Sequence, residues 1–326
     1  MRRLHAAAGV AVLLVLAFLT QSSKAWGGND GSHDEVQSLH FSSLRTYSPT
    51  AFQPQLLLDR LSGGLTQQSP FRMAADSQGR ILVTDPALSV VHVFDTKQGT
   101  RWQIRGDRHH RLSVPAHIAV DADDNIYLTD LGWSVVFVLH PDGHFLRTIG
   151  RGILGLPTSI WLDKDNRRLY VADWIRDEVL EFDLEGKLLQ VFGSFGTAPG
   201  QLLHPLDVVV HRDTLVVLDA GNSRFELFDL QGKVRGIWPY GPDRTPVALA
   251  CDAAGNLYYS DLDSGGLIAM DSQGNVLAGF GQRPFGQASR SSAGLNFMSI
   301  ALDPWGKILA LRPTFKVDVF ELIFAK

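Results

Sequence analysis

A layout of three short apolar runs, each closed by a turn, recurs about every 45 residues from Pro70 to the C-terminus, and such a period leaves few folds open. Each unit opens at a proline, at positions 70, 115, 157, 205 and 246, with Phe297 in that place in the last unit. The first runs, such as Ile118 to Val120 and Val208 to Val210, are too short for helices. A turn follows, often carrying Asp with Gly or Asn, as in Asp252-Ala253-Ala254-Gly255. The second run ends on Asp85, Asp130, Asp173, Asp219 and Asp261 in successive units. The third closes on hairpin signals such as Pro141-Asp142-Gly143 and Leu230-Gln231-Gly232, and a fourth run, such as Lys187 to Gly193, leads out.

Nearly all the runs are apolar on both alternating faces, so both sides of each sheet must be covered. Stacked four-stranded antiparallel blades meet that condition, and six units predict an all-β, six-bladed β-propeller over residues 55–326. The sixth unit lacks a fourth strand at its C-terminal end. Gln55 to Gly63, QLLLDRLSG, resembles the fourth strands HFLRTIG and KLLQVFG, so the N-terminal strand is expected to complete the last blade.

Residues 1–25 read as a secretory signal peptide: Arg2 and Arg3, the uncharged run Ala6 to Thr20, then Ser23-Lys24-Ala25. The apolar run is shorter than the ~20 residues of a spanning helix, and no later segment approaches its length without a charge or turn, so no membrane span is expected after its removal. Residues 26–54 form a polar lead-in, and the expected location is periplasmic or extracellular. Losing Arg2, Arg3 and Lys24, three cations and no acid, takes the net charge from −4 to −7. That balance argues against a nucleic-acid partner. The single cysteine, Cys251, excludes an internal disulfide framework, and core burial must supply stability.

The unit Pro205-Leu206-Asp207-Val208-Val209-Val210, followed by Leu215 to Asp219 and Asn222-Ser223-Arg224 before Phe225 to Asp229, resembles an NHL repeat. The likeness covers residues 55–325. It implies the propeller fold but not one function, because one scaffold hosts unrelated chemistries. The NHL set includes an amide-forming lyase with a histidine-bound metal. No three-histidine set here occupies equivalent blade positions, and the acidic and amide ligand cluster of propeller lactonases is not visible either.

In such a fold the loops from fourth to first strand and from second to third strand emerge on one face, where ligand sites usually lie. The position two after the proline holds Arg72, His117, Ser159, Asp207, Ala248 and Ser299 in turn. Arg72, His117 and Asp207 are therefore expected at the channel mouth. There a histidine beside a carboxylate can act as a base and an arginine can fix an anion, or the three form a salt-bridged plug. Trp133 and Trp174, with Arg176 nearby, are expected on the same rim, as ligand-binding aromatics or as indoles packed over the next blade. The strand-ending aspartates are spread one per unit, which suits turn capping rather than convergence on one ion. His109-His110 offers too few ligands for a metal site.

The resulting expectation is a monomeric extracytoplasmic binding module that engages a protein, peptide or glycan through Arg72, His117, Asp207, Trp133, Trp174 and Arg176. No cofactor is expected. The alternative is a lyase or hydrolase at the same mouth, with His117, Asp207 and Arg72 as catalytic candidates and a calcium or zinc ion in the channel. The Gly- and Ser-rich stretch 282–296 reads as a lid or a tolerated insertion.

Overall fold

The computed structural model describes residues 40–47, 72–95, 97–241, 244–280, 298–304, 306–311 and 317–323. The signal-peptide segment 1–25, the stretch Gln55 to Gly63 and the 282–296 loop lie outside the described residues. The chain divides into two compact units, the first built mainly on 69–240 and the second on 241–302 and 306–326 with the chain's N-terminal part.

The first unit holds four antiparallel sheets, each of four strands consecutive in sequence. They are β2(Met73–Ala75), β3(Ile81–Asp85), β4(Val90–Asp95) and β5(Thr100–Ile104), then β6(Pro115–Val120), β7(Ile126–Asp130), β8(Val135–Leu139) and β9(Phe145–Ile149). The third sheet is β10(Pro157–Asp163), β11(Arg168–Asp173), β12(Glu178–Asp183) and β13(Leu188–Phe192). The fourth is β14(Pro205–His211), β15(Thr214–Asp219), β16(Arg224–Asp229) and β17(Val234–Pro239). These are propeller-type blades. Their inner three strands are almost wholly buried, whereas outer strands alternate, as in β13, where Leu189 and Val191 are exposed.

Adjacent blades bury apolar faces against each other. Tyr127, Val136 and Val138 of the second blade pack with Ile160, Leu169, Val171 and Phe182 of the third. Tyr170 and Phe192 of the third pack with Val208, Val217 and Phe228 of the fourth. Each such fully buried side chain contributes ~1.5–3 kcal/mol, which explains why runs apolar on both faces were needed.

The second unit holds β18(Pro246–Cys251), β19(Leu257–Asp261), β20(Gly266–Met270) and β21(Val276–Phe280) as one blade of consecutive strands. Its other sheet has the order β1-β24-β23-β22, where β22(Ser299–Leu302), β23(Ile308–Leu311) and β24(Val317–Ile323) are joined by β1(His40–Tyr47).

That order corrects the expectation of six equivalent blades closed by Gln55 to Gly63. Five sheets are self-contained blades, and the remaining sheet is a composite. The strand bonded to β24 comes from within the expected lead-in and pairs His40 with Ile323 through Tyr47 with Val317. Local likeness misled here because outer strands are half exposed and carry a weak pattern, so register and reach decide their pairing.

Candidate functional site

Antiparallel reversal brings the loops from second to third strand, and from fourth strand to the next first strand, to the same end of each blade. In the first unit this end has a pinned frame, a buried polar cluster and an exposed rim.

The frame comes from the strand-ending aspartates. Asp130 accepts hydrogen bonds from the Ser113, Val114 and Gly132 amides at 2.7, 3.1 and 3.0 Å. Asp173 takes those of Gly155 and Leu156 at 2.6 and 2.9 Å, and Asp219 takes that of Leu203 at 2.7 Å. Each carboxylate thus ties an incoming loop to its blade, the capping role that the even spacing implied. Burial raises the carboxyl of Asp130, and that of Asp219 to about 6.

The Asn-x-Arg triplet extends the frame to the 193–204 loop. Arg224 donates to the carbonyls of Thr197, Ala198 and Gln201 at 2.9, 3.1 and 2.7 Å, and pairs with Asp219 and Glu226 at 2.9 and 2.6 Å. Asn222 Nδ2 donates to the Gly196 carbonyl at 3.0 Å, and Gly200 N–H donates to Glu226 at 2.6 Å. Gly196 has φ 149°, open only to glycine, and a Cβ on Gly221 would lie 2.5 Å from the Leu203 carbonyl oxygen. The loop is therefore rigid.

The cluster lies at the openings of the inner strands. A bulge follows the proline in β6, β10 and β14, shifting register between Pro115 and Ile118, Pro157 and Ser159, and Pro205 and Asp207. Such bulges re-aim the next side chain. The amides of Arg72 and His117 leave the strand ladder and donate to the Thr84 and Thr129 hydroxyls at 2.9 and 2.7 Å.

Arg72, Ser159 and Asp207 are buried. The Ser159 hydroxyl donates to Asp207 Oδ1, which also accepts the Val208 amide at 2.8 Å. His117 Nε2 lies 3.7 Å from that oxygen, beyond hydrogen-bond reach. The buried Nδ1 of His117 finds no hydrogen-bond partner. Burial lowers the His117 imidazole to about 4, with Asp207 opposing and Arg72 assisting that shift, so the ring is neutral at pH 7. Burial also lowers Arg72, against the pull of Asp207.

The structure therefore brings Arg72, His117 and Asp207 into one electrostatic group and adds Ser159. Among the described residues no group of three or more His, Cys, Asp or Glu could hold a metal ion.

Both of the states expected for the rim indoles occur. Trp133 is 42% exposed, and its indole N–H is spent on the Arg111 carbonyl at 2.9 Å. Trp174 is packed: it is only 6% exposed and stacks on His204, with ring centroids 4.6 Å apart. Its neighbour Ile175 is turned out instead, 60% exposed, and Phe195 is 71% exposed. Arg176 is exposed and paired with Glu178 at 2.8 Å.

Sequence reasoning missed Ile175 and Phe195, because isolated apolar residues in loops carry no periodicity. The only signal was an apolar residue beside a turn glycine, as in Phe195-Gly196.

These loops are continuous. Ser134 donates to the Gly155 carbonyl at 2.7 Å, and a methyl at Gly155 would sit 3.5 Å from Ile175 Cβ and 3.6 Å from Arg176 Cγ. The His204 amide donates to Asp177 at 2.7 Å, joining the Ile175 loop to the loop that carries Phe195.

No family model matches the chain. Rat E3 ubiquitin-protein ligase NHLRC1 is 33% identical over 124 residues, which are 35% of this chain and 31% of that protein. Rat peptidylglycine alpha-amidating monooxygenase is 28% identical over 138 residues, 37% of this chain and 14% of that protein. The chain thus spans less than a third of the length of either relative.

Among solved structures, virginiamycin B lyase from Staphylococcus aureus is similar with a TM-score of 0.58 at 13% identity, covering 87% of this chain and 100% of that one. A chain of a nidogen/laminin complex is similar with a TM-score of 0.54 at 23% identity, covering 64% and 79%. At these identities the structural likeness concerns the fold alone.

Proposed function

We propose that the protein is a binding module whose partner, a protein or peptide, docks on the loop end of the second, third and fourth blades. The observation that carries this reading is a rigid loop presenting an apolar side chain to water. Asn222, Arg224 and Glu226 hold the 193–204 loop, yet Phe195 packs on nothing that hides it. A partner that covers Phe195, Ile175 and Trp133 gains apolar burial without the cost of ordering the loops. The similarity to NHLRC1 supports a scaffold role without naming a ligand.

The basic and apolar N-terminal segment supports work outside the cytoplasm, which sequencing the N-terminus of secreted protein would test. For the binding reading, Phe195→Ser and Ile175→Ser should each weaken partner capture by roughly tenfold or more while the protein stays folded. Capture unchanged in the double variant would end it.

A second reading, a lyase or hydrolase, draws on the neutral His117 with its unsatisfied Nδ1 beside Asp207. Asp207 Oδ1 is already engaged by Ser159 and Val208, which favours the plug over a poised acid–base pair. Element analysis finding one stoichiometric, tightly held zinc or calcium, lost on His117→Gln, would favour the enzyme.

A further inference from the structure

The loop end of the first unit is basic, although the chain as a whole carries a net charge of −4. Its exposed arginines are Arg105, Arg108 and Arg111 between β5 and β6, Arg151 between β9 and β10, and Arg176 between β11 and β12. Arg176 is neutralised by Glu178. Arg105 and Arg108 contact only Gln103 and His109 through their guanidinium groups, and none of Arg105, Arg108, Arg111 and Arg151 pairs with a carboxylate among the described residues.

Of the carboxylates in these loops, Asp177 is buried, whereas Asp107 keeps its side chain 38% exposed while accepting the amides of His109 and His110 at 2.7 and 2.8 Å, one exposed acid against four arginines. The opposite end of the same blades mixes signs, with exposed Asp123, Asp142, Asp165 and Glu185 beside Lys97, Lys164 and Lys187. The asymmetry is therefore local and is not a matter of composition.

Those arginines flank the apolar rim. The Arg111 carbonyl holds the Trp133 indole, and the loop that bears Arg151 contains Ile153, whose carbonyl accepts Arg176 at 3.2 Å. We propose that this surface takes an acidic segment of a partner protein: an apolar side chain seats against Phe195, Ile175 and Trp133 while flanking carboxylates meet Arg105, Arg108, Arg111 and Arg151.

The proposal rests on the binding reading above and adds the charge of the partner. Guanidinium forks match carboxylates geometrically as well as electrically. A protein segment fits better than a nucleic acid. The net charge of the chain repels a long polyanion. A glycan would ask the rim for hydrogen bonds, and the Trp133 indole N–H is already used.

A random peptide library displayed on phage, selected on the immobilised full chain, tests the proposal. Single-stranded DNA of random sequence is offered in parallel. Enriched peptides should carry several Asp or Glu around one apolar residue, and a synthetic copy should bind more weakly as salt rises. The quadruple variant R105E, R108E, R111E and R151E should weaken it by roughly tenfold or more, and so should Phe195→Ser. Thermal melts of both variants establish folding; if charge reversal unfolds the protein, the Arg→Gln set replaces it with the same expectation.

Neutral or basic peptides that still require Phe195 would overturn the acidic partner and leave the binding reading standing. DNA that binds in preference to every peptide and depends on the four arginines would likewise overturn it. Failure to enrich any peptide, or binding indifferent to all these variants, would sink both.

Discussion

Phe195 and Ile175 bring little to the fold and, on this account, much to recognition. Each replaced by Ser should leave the melting temperature nearly unchanged, within about ±0.5 kcal/mol of stability, while partner affinity falls. A thermal melt beside a binding isotherm separates the two effects. His117 gives a residue-scale test of a different kind. Its folded pKa of about 4 lies below the ordinary 6.5 because burial disfavours the cation, with Arg72 adding to that effect and Asp207 opposing it. The unfolded chain therefore binds the extra proton first as pH falls. The stability His117 confers is complete above pH 6.5 and is lost progressively toward pH 4, to a ceiling of ~3 kcal/mol at ~1.4 kcal/mol per unit. Denaturant unfolding at pH 7, 5.5 and 4.5 should show that decline, and His117→Gln should flatten its share of it, with the remaining carboxylate titrations common to both proteins.

At the scale of the element, the loops are defined by what grips them. Arg224→Leu leaves Asp219 and Glu226 buried without their cation and three carbonyls of the 193–204 loop without a donor. A loss of ~3–5 kcal/mol is expected, together with fast amide exchange across that loop. Asp130→Ala strips the Ser113 and Val114 amides of their acceptor and should cost ~1–3 kcal/mol, read as a shift in urea midpoint.

Much of this frame was legible in the sequence. A carboxylate at the end of the second strand in five of the six units, with Arg312 in that place in the sixth, has no convergent use, so each must serve its own blade. Asn222 and Arg224 were visible only through the resemblance to an NHL repeat, since the triplet stands in one unit of the chain. The position two after the proline stood out through its variety, and the structure indeed brings Arg72, His117, Ser159 and Asp207 together there. Phe195 and Ile175 left no such trace, because repetition marks what the units share and a binding residue is what one unit has alone. At Trp174 the sequence left an exposed or a packed indole open, and the flat face of His204 decides for packing.

At the scale of the whole chain, the blades were readable from runs apolar on both faces, whereas the partner of the last three strands was not. β1 pairs with β24 over seven residue pairs, using a stretch whose polar composition hid it. Deleting residues 1–48 should strand the β24 edge, lowering stability and promoting edge-to-edge association, visible as concentration-dependent light scattering. Deleting only 1–38, which keeps β1, should leave scattering at the level of the intact protein.

The central claim, that the loop end of the second to fourth blades is a preformed docking surface, is tested most directly by amide hydrogen exchange across the chain, with and without a peptide selected on it. Exchange in 194–204 should already be slow in the free protein, because the frame orders that loop, and peptide should add protection confined to 131–134, 174–177 and 194–204. Protection concentrated elsewhere, or a 194–204 loop that exchanges freely until peptide is added, would contradict the account.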